Sequence, residues 1–494
     1  MNTNKLIALL VGGVAAANFA NAGTAEQNWG QWRGPRADGT SPNADPPTEW
    51  SESKNVKWKF KLSGEGNGTP IIWDNLVFIQ SAIPVAKKPE ANLNLNIAPQ
   101  FAGLQQQPPP AGADGQQPRR RPGGPGGQGQ PGGPGGGQGG QGGGRRGGFG
   151  GGGPPTTPFQ FTVIAIDRVT GNVVWQKMLR EELPHEGHHP DGSFASGSPA
   201  TDGEHVFAYY GSRGLYCLDL KGNVKWQKDL GKMRSANGFG EGSSPALRGN
   251  TLVVNWDHED EDFIAAFDKV TGKELWKQKR DEPTTWGTPL IVQHGGVAQV
   301  IVNASRKVRS YDLTSGKEIW SVGPLTANVI PSPVAGNGMV YSMSGFRGNA
   351  LFAVKLGKTG ELAGTDAIAW TYNKSTPYVP SPLLYDDRLY FYANNNAILT
   401  VLDAKSGQPL INAERLTGIA NVYASPVGAA GRVYLVGRDG GALVLKKSDK
   451  VEVLATNKLD DRFDASPAVV GREMFLRGKQ NLYCIAPTER ADAK

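Results

Sequence analysis

The sequence predicts an all-β fold: an eight-bladed β-propeller of four-stranded blades, closed into a ring by an N-terminal strand. Three observations predict it. A Ser-Pro or Thr-Pro step recurs at Pro70, Pro199, Pro245, Pro289, Pro333, Pro382, Pro426 and Pro467, and after the first gap these steps lie 41 to 49 residues apart. A period in that range is the length of one four-stranded blade. The steps are followed by β-rich runs that lead into an Asp, a Thr-Gly or Ser-Gly turn and a Trp. Finally, the chain begins with a strand that lacks a blade and ends with a blade that lacks a strand.

From the N-terminus, residues 1–22 read as a secretory signal peptide. Lys5 supplies a positive n-region, residues 6–17 are apolar or small, and Ala20-Asn21-Ala22 has the A-x-A form of a cleavage site. The run is too short to span a bilayer, and no later stretch reaches the roughly 18 apolar residues that a spanning helix needs. No Cys lies near the cleavage site, so no lipid anchor is expected. The expectation is an exported protein, periplasmic or extracellular, and a monomer.

Residues 23–55 form an N-terminal extension that opens with Asn28-Trp29-Gly30-Gln31-Trp32-Arg33-Gly34-Pro35. Residues 56–62 then alternate as an outer strand. The C-terminus supplies Ser466-Pro467, a strand at 473–476 and another at 481–485, but no Trp strand. Residues 56–62 therefore complete blade eight, with Trp58 as its tryptophan, and the propeller spans 56–487 with a tail at 488–494. Closure of this kind removes sheet edges that would otherwise invite aggregation.

Blade one is interrupted. Its strand at 76–79 leads into residues 84–158, mostly Gly, Pro and Gln with short Arg runs, and the blade resumes at 161–167. The segment has too few apolar groups to offset the entropy of ordering, so a disordered loop is expected. Lys87, Lys88, Arg119, Arg120, Arg121, Arg145 and Arg146 against Glu90 and Asp114 give it most of the chain's net +7. The nearly neutral remainder gives no reason to expect nucleic acid as a partner. The Arg-Gly content resembles RNA-binding arms, but in an exported protein it reads as a spacer or a weak contact to anionic surface polymer. Short alternating runs at 206–210, 389–392 and 433–436 read as further strands, and no helical period appears.

The turn motif has a direct physical reading. It runs Asp167–Gly171–Trp175, Asp219–Gly222–Trp226, Asp268–Gly272–Trp276 and Asp312–Gly316–Trp320, with a fifth copy, Asp403–Gly407, that lacks the Trp. Asp accepts turn N–H groups with its side chain, and Gly takes a positive φ. The Trp returns on the outer strand, where it can pack flat between neighbouring blades and contribute roughly 2 to 3 kcal/mol. Lys355 and Lys446 stand where blades five and seven should carry the Asp. Cys217 and Cys484 occupy one position in two non-adjacent blades and read as buried strand residues, not as a bridge.

This motif resembles the tryptophan-docking repeat, A-x-D-x-x-T-G-x-x-x-W, of the pyrroloquinoline-quinone (PQQ) propeller family. The resemblance covers the mature chain except residues 84–158. It implies the eight-bladed fold. Family members include PQQ-dependent dehydrogenases, a non-catalytic outer-membrane assembly lipoprotein and many exported PQQ-like proteins. Trp32-Arg33-Gly34-Pro35 and Trp286-Gly287-Thr288-Pro289 look most like the last group. The chain departs from the dehydrogenases in having no adjacent cysteines and no C-x-x-C-H haem site, and their Ca²⁺-ligand and base set has no counterpart motif here.

In propellers the loops entering the innermost strands open on a funnel at one face. Here those loops carry Glu65, Asn67, Glu241, Ser243, Trp286, Asn328, Tyr378, Tyr423 and Asp464. Of these, Glu65, Asn67, Ser243, Trp286, Tyr378 and Tyr423 are the candidates for holding a cofactor, and Asp464 and Glu241 for a general base. The longest loop holds His185, His188, His189 and Asp191, a set that could bind zinc or remain structural. The run Asp257-His258-Glu259-Asp260-Glu261-Asp262 reads as a solvated acidic hairpin, with Ca²⁺ binding as the alternative. The leading expectation is a non-catalytic propeller that binds a protein or cell-envelope polymer on the funnel face. The alternatives are a PQQ- and Ca²⁺-dependent oxidoreductase acting on alcohols or sugars, and a metal-dependent hydrolase built on the His loop.

Overall fold

A computed structural model describes residues 24–86 and 151–487. The predicted signal peptide, the C-terminal tail and residues 87–150 of the predicted insertion lie outside the described residues. Eight sheets, each built on four antiparallel strands and one of them extended by a fifth, parallel strand, follow one another along the chain, and the only helices among the described residues are three short 3₁₀ turns. Blade eight is built as the ends of the sequence require: Val56–Lys61 pairs antiparallel with Asn481–Ile485, so that Trp58 lies opposite Cys484. In blade one, Leu76–Pro84 and Phe159–Asp167 stay paired up to Pro84 opposite Phe159. The described strands of blade one are thus paired up to the predicted insertion. Within the described part of it, the Gly151 and Gly152 amides donate to the carbonyls of Asn237 and His188.

The Ser-Pro and Thr-Pro steps form an inner belt. The Thr69 amide donates to Ser198 Oγ at 2.8 Å, Ser198 to Ser244, Ser244 to Thr288, Thr288 to Ser332, Ser332 to Ser381, Ser381 to Ser425, and Ser425 to Ser466. Thr69 Oγ1 closes the belt on the Ser466 carbonyl at 3.2 Å. At seven of the eight copies the hydroxyl is the acceptor for the preceding blade's buried amide, and at Thr69 it is a donor to the Ser466 carbonyl. The following Pro has no N–H that would be left without a partner at the crowded start of the innermost strand.

The outer ring is held by the tryptophans. The indole of Trp58 donates to the Arg168 carbonyl, Trp175 to Leu220, Trp226 to Lys269 and Trp276 to Leu313. Each indole lies under the turn glycine of the next blade: a Cβ on Gly171, Gly222, Gly272 or Gly316 would sit 2.6–2.8 Å from that ring. These glycines also have φ between +69 and +84. Trp320 departs from the expectation. Blade five has Lys355 where the Asp should be, so its turn offers no dock, and Trp320 is instead fully buried with its indole donating to Gln299 of its own blade. The enlarged hairpin of blade five sends Gly360–Glu361 back to pair parallel with Trp320–Ser321, adding a fifth strand to blade four. Trp370 of blade five then docks on Gly407, donating to the carbonyls of Ala404 and Lys405.

Residues 28–50 lace the face opposite the funnel. Trp29 bridges to Ile72 of blade one, the Thr201 amide of blade two donates to Gly30, and the amides of Ser41 and Gly428 bind across to blade seven. Arg33 is buried and donates to the carbonyls of Pro426 at 2.8 Å and Pro382 at 2.7 Å, inside the belt. Burial pulls its guanidinium down to about 10, partly offset by Asp38. Gly39 must be glycine, since its Cβ would meet the Arg33 guanidinium.

Candidate functional site

The loops that enter the innermost strands enclose a cavity of about 280 Å³ whose inner end is the Ser/Thr belt. That is close to the lower end of the roughly 300–1,000 Å³ typical of small-ligand sites. Trp32 lines this cavity and also one of about 320 Å³ on the opposite face, so its indole stands between the two. The funnel cavity brings together Asn67, Glu241, Ser243, Trp286, Tyr378, Tyr423 and Asp464 of the residues the sequence singles out, with His189 and Asp191 of the His loop. Glu65 is not on its wall; its carboxylate accepts from the Phe194 amide and faces His188. Asn328 touches the rim through Tyr378, whose phenol burial raises despite that hydrogen bond.

One side of the funnel is an ion cluster. Arg438 spans two carboxylates, with Nη2 2.6 Å from Asp191 Oδ1 and Nε 2.6 Å from Asp464 Oδ1. Its guanidinium stacks 3.7 Å from the centre of the Tyr423 ring, and the Tyr423 hydroxyl donates to Asp191. Burial keeps that phenol protonated, outweighing the pull of Arg438. Arg462 reaches Asp191 at 2.5 Å and Asp464 at 3.3 Å; Lys479 lies 3.4 Å from Asp464 and donates to Asn67. Three cations thus face two carboxylates. Asp464 is 3% exposed while Arg462 is 43% exposed, so the free face of the cluster is cationic. The other side is aromatic: Trp286 is anchored by its indole to the Gly240 carbonyl beside Phe239, and Tyr378 stacks on Phe346 at 4.6 Å.

The two candidate bases are both engaged. Asp464 is held as above, and Glu241 accepts from the Ser212 amide, the Ser212 hydroxyl and Arg213 at 2.6–2.7 Å. Glu241 therefore pins the turn Gly211–Arg213. The four-residue metal set of the His loop is not assembled. His185 donates to the Met233 carbonyl, His188 turns to Glu65 and packs on Phe194, and His189 packs on Phe239, its ring 3.9 Å from Asp191. The loop's Gly and Pro residues let its imidazoles diverge. The structure instead gathers a ring nitrogen of His185 with carboxylate oxygens of Glu186 and Glu241, all within 4.8 Å.

The acidic run at 257–262 is solvated, as expected, only at Glu259, Asp260 and Glu261. Asp257, His258 and Asp262 are buried, and Asp257 pairs with the fully buried Arg280 at 2.6 Å. Arg280 Nη1 also donates to Tyr311 of blade four. The run supplies anions to an interblade ion pair, which an acidic spelling alone does not disclose. Arg438, Arg462 and Lys479 were likewise missed. Arg438 and Lys479 lie beyond the ends of the second strands of their blades, and in an antiparallel blade those ends open on the same face as the loops that enter the innermost strands; that alternation is the signal that could have found them.

Known proteins extend this picture. The PQQ_2 family model, described as outer membrane protein assembly factor BamB, matches residues 160–322 and 260–493. A quinohemoprotein alcohol dehydrogenase from Comamonas testosteroni superposes with a TM-score of 0.54 at 10% identity, covering 96% of this chain and 83% of its own. A europium-containing methanol dehydrogenase gives 0.54 at 9% identity, covering 92% and 90%. At these identities both establish the shared propeller fold and nothing finer. BamB from Moraxella catarrhalis aligns over 67% of this chain and 81% of its own, at 14% identity and a TM-score of 0.36. No curated protein matches the sequence.

Proposed function

The chain belongs to the PQQ_2 family, and from that premise we propose that it is an exported, non-catalytic binding propeller that holds a protein or cell-envelope polymer on its funnel face. One observation carries the reading: every carboxylate on the funnel wall is already engaged. Asp191 and Asp464 are tied by Arg438, Arg462 and Lys479, and Glu241 by Ser212 and Arg213. A carboxylate so paired holds a wall in shape and is a weaker base than a free one. What remains open is a binding surface of aromatic faces and a half-exposed guanidinium, pre-arranged so that little order is lost on binding. The family's description as an assembly factor points the same way. Among the described residues no helix is long and apolar enough to cross a membrane.

A quinone cofactor with Ca²⁺ is implied by the quinoprotein members of this fold, and the donor set does not fit it. Ca²⁺ takes six to eight oxygens, carboxylates among them, and here Asp191 and Asp464, each held by at least two cations, would first have to break those pairs. Cys217 and Cys484 are separate, buried and free, so no disulfide is available beside such a ring.

The test is a titration of the mature, chelator-stripped protein with PQQ and Ca²⁺, followed by quenching of tryptophan fluorescence, since Trp32 and Trp286 line the cavity. No saturable quenching is expected at micromolar concentrations; saturable binding overturns the reading and calls for dye-linked assays with alcohols and sugars. In parallel, Trp286→Ala with Arg462→Ala should lower retention of the folded protein on cell-envelope fractions at least tenfold. Unchanged retention would remove the funnel face from the proposal.

A further inference from the structure

We propose that His185, Glu186 and Glu241 bind one divalent transition-metal ion of the zinc class, which ties the loop before blade two to the loop before blade three at the funnel rim. This goes beyond the binding role above and does not depend on it.

Three observations converge. The imidazole and the two carboxylates present ligand atoms within 4.8 Å of one another. His185 Nε2 lies 2.6 Å from the Met233 carbonyl, so Nε2 carries the proton and Nδ1 is left with a bare lone pair. That Nδ1 is buried and has no hydrogen-bond partner. A buried acceptor with nothing to accept costs free energy, and a bound cation satisfies it. A backbone carbonyl fixing the opposite ring nitrogen is also the usual outer-shell arrangement of a metal-bound histidine.

The charges agree. Glu241 already accepts from Arg213 and Ser212 and would give the ion a second lone pair of an engaged oxygen, whereas Glu186 has only the amide and hydroxyl of Ser235 as donors, and no described Lys, Arg or His makes an ion pair with it. Arg234 feels Glu186 electrostatically but makes its contact with Asp260, so no cation touches the Glu186 carboxylate beside the Nδ1 lone pair. The Asp202, Glu204 and His205 group also brings ligand atoms within 4.8 Å, yet there the Lys269 ammonium sits 2.6 Å from Asp202 and already supplies the cation. One imidazole with two carboxylates suits zinc and its neighbours better than Ca²⁺. Bonds of about 2.0–2.2 Å require the three groups to close by an ångström or so. Three protein ligands leave a fourth position for water.

The test uses the mature, chelator-stripped, untagged protein titrated with ZnCl₂ by calorimetry and with CoCl₂ by absorption. One equivalent should bind with a micromolar or tighter Kd and raise the melting temperature. His185→Gln should weaken binding at least tenfold, while His294→Gln, far from the cluster, should leave it unchanged. Electron paramagnetic resonance of the Cu²⁺-loaded wild-type protein should resolve coupling to one imidazole nitrogen. That last readout keeps the proposal falsifiable if His185→Gln fails to fold. No stoichiometric binding, unchanged affinity in a folded His185→Gln, or no nitrogen coupling would each overturn it.

Discussion

Replacing Ser381 by Ala removes one hydroxyl from the inner belt and leaves the Ser332 amide, which donates to it at 2.9 Å, without an acceptor. Both residues are buried, Ser381 only 2% exposed, so water cannot readily substitute. The cost of an unpaired buried amide is about 1–3 kcal/mol, and little apolar contact is lost alongside it. At about 2.1 cal/mol/K per residue, a propeller of about 400 residues shifts its Tm by only roughly 1 °C per kcal/mol. A local readout is therefore sharper. Pro331 and Pro333 flank Ser332, so in a short peptide across this step its amide is nearly alone, and hydrogen exchange by mass spectrometry should show it markedly less protected. Ser381→Thr restores the acceptor, as Thr288 does naturally for the Ser244 amide, and should match wild type within about 0.5 kcal/mol. Unchanged exchange at residue 332 in Ser381→Ala, or equal damage from Ser381→Thr, would refute the belt as the reason for the Ser-Pro repeat.

Gly316→Ala should cost roughly 2–4 kcal/mol by urea denaturation, from a Cβ at positive φ and its collision with the Trp276 ring. Gly431→Ala, at a similar φ of +71 but with nothing within 4 Å, should lose only about 1 kcal/mol; equal losses would dismiss the docking contact. Burial pushes the Cys217 thiol up to about 12 and Cys484 higher, so neither should react with a thiol reagent at pH 8 until the chain is unfolded, when two equivalents should react. The turn carboxylates of Asp167, Asp268, Asp312 and Asp403 are held below 3.8, first by the neighbouring Thr or Ser hydroxyl. Because the folded value is the lower one, their stabilisation is present above about pH 3.8 and is lost as pH falls through the folded values. Asp268→Asn should flatten that acid limb, and an unaltered limb would exclude the turns as its source.

The architecture was legible because each blade repeats one physical problem. A buried amide at the belt needs a hydroxyl, a tight turn needs Asp and Gly, and an interblade gap needs an indole. The same residue types therefore recur at one spacing, and even the closure by residues 56–61 followed from a missing Trp strand. Where the repeat decays, legibility ends. Lys355 announced that blade five was irregular, but not that Gly360–Glu361 would cross to blade four or that Trp320 would turn inward to Gln299. Those outcomes depend on what the neighbouring blade offers, which the local sequence does not contain.

The funnel resists sequence reading for a related reason. Asp191, Arg438, Asp464 and Lys479 come from different loops, none of which repeats, and their meaning lies in the pairs they form across the ring. Asp464 alone reads as a candidate base; beside Arg438 it is a wall. The His loop shows the converse. Its imidazoles look like a metal set because they are close in sequence, yet three-dimensional proximity selects only His185 and adds Glu186 and Glu241 from either side of blade two. A ring of near-identical blades thus fixes its scaffold through repeated residues and its chemistry through the exceptions. The place to look for what this propeller binds is therefore the side of the funnel between blades seven and two, where arginines and histidines interrupt the pattern.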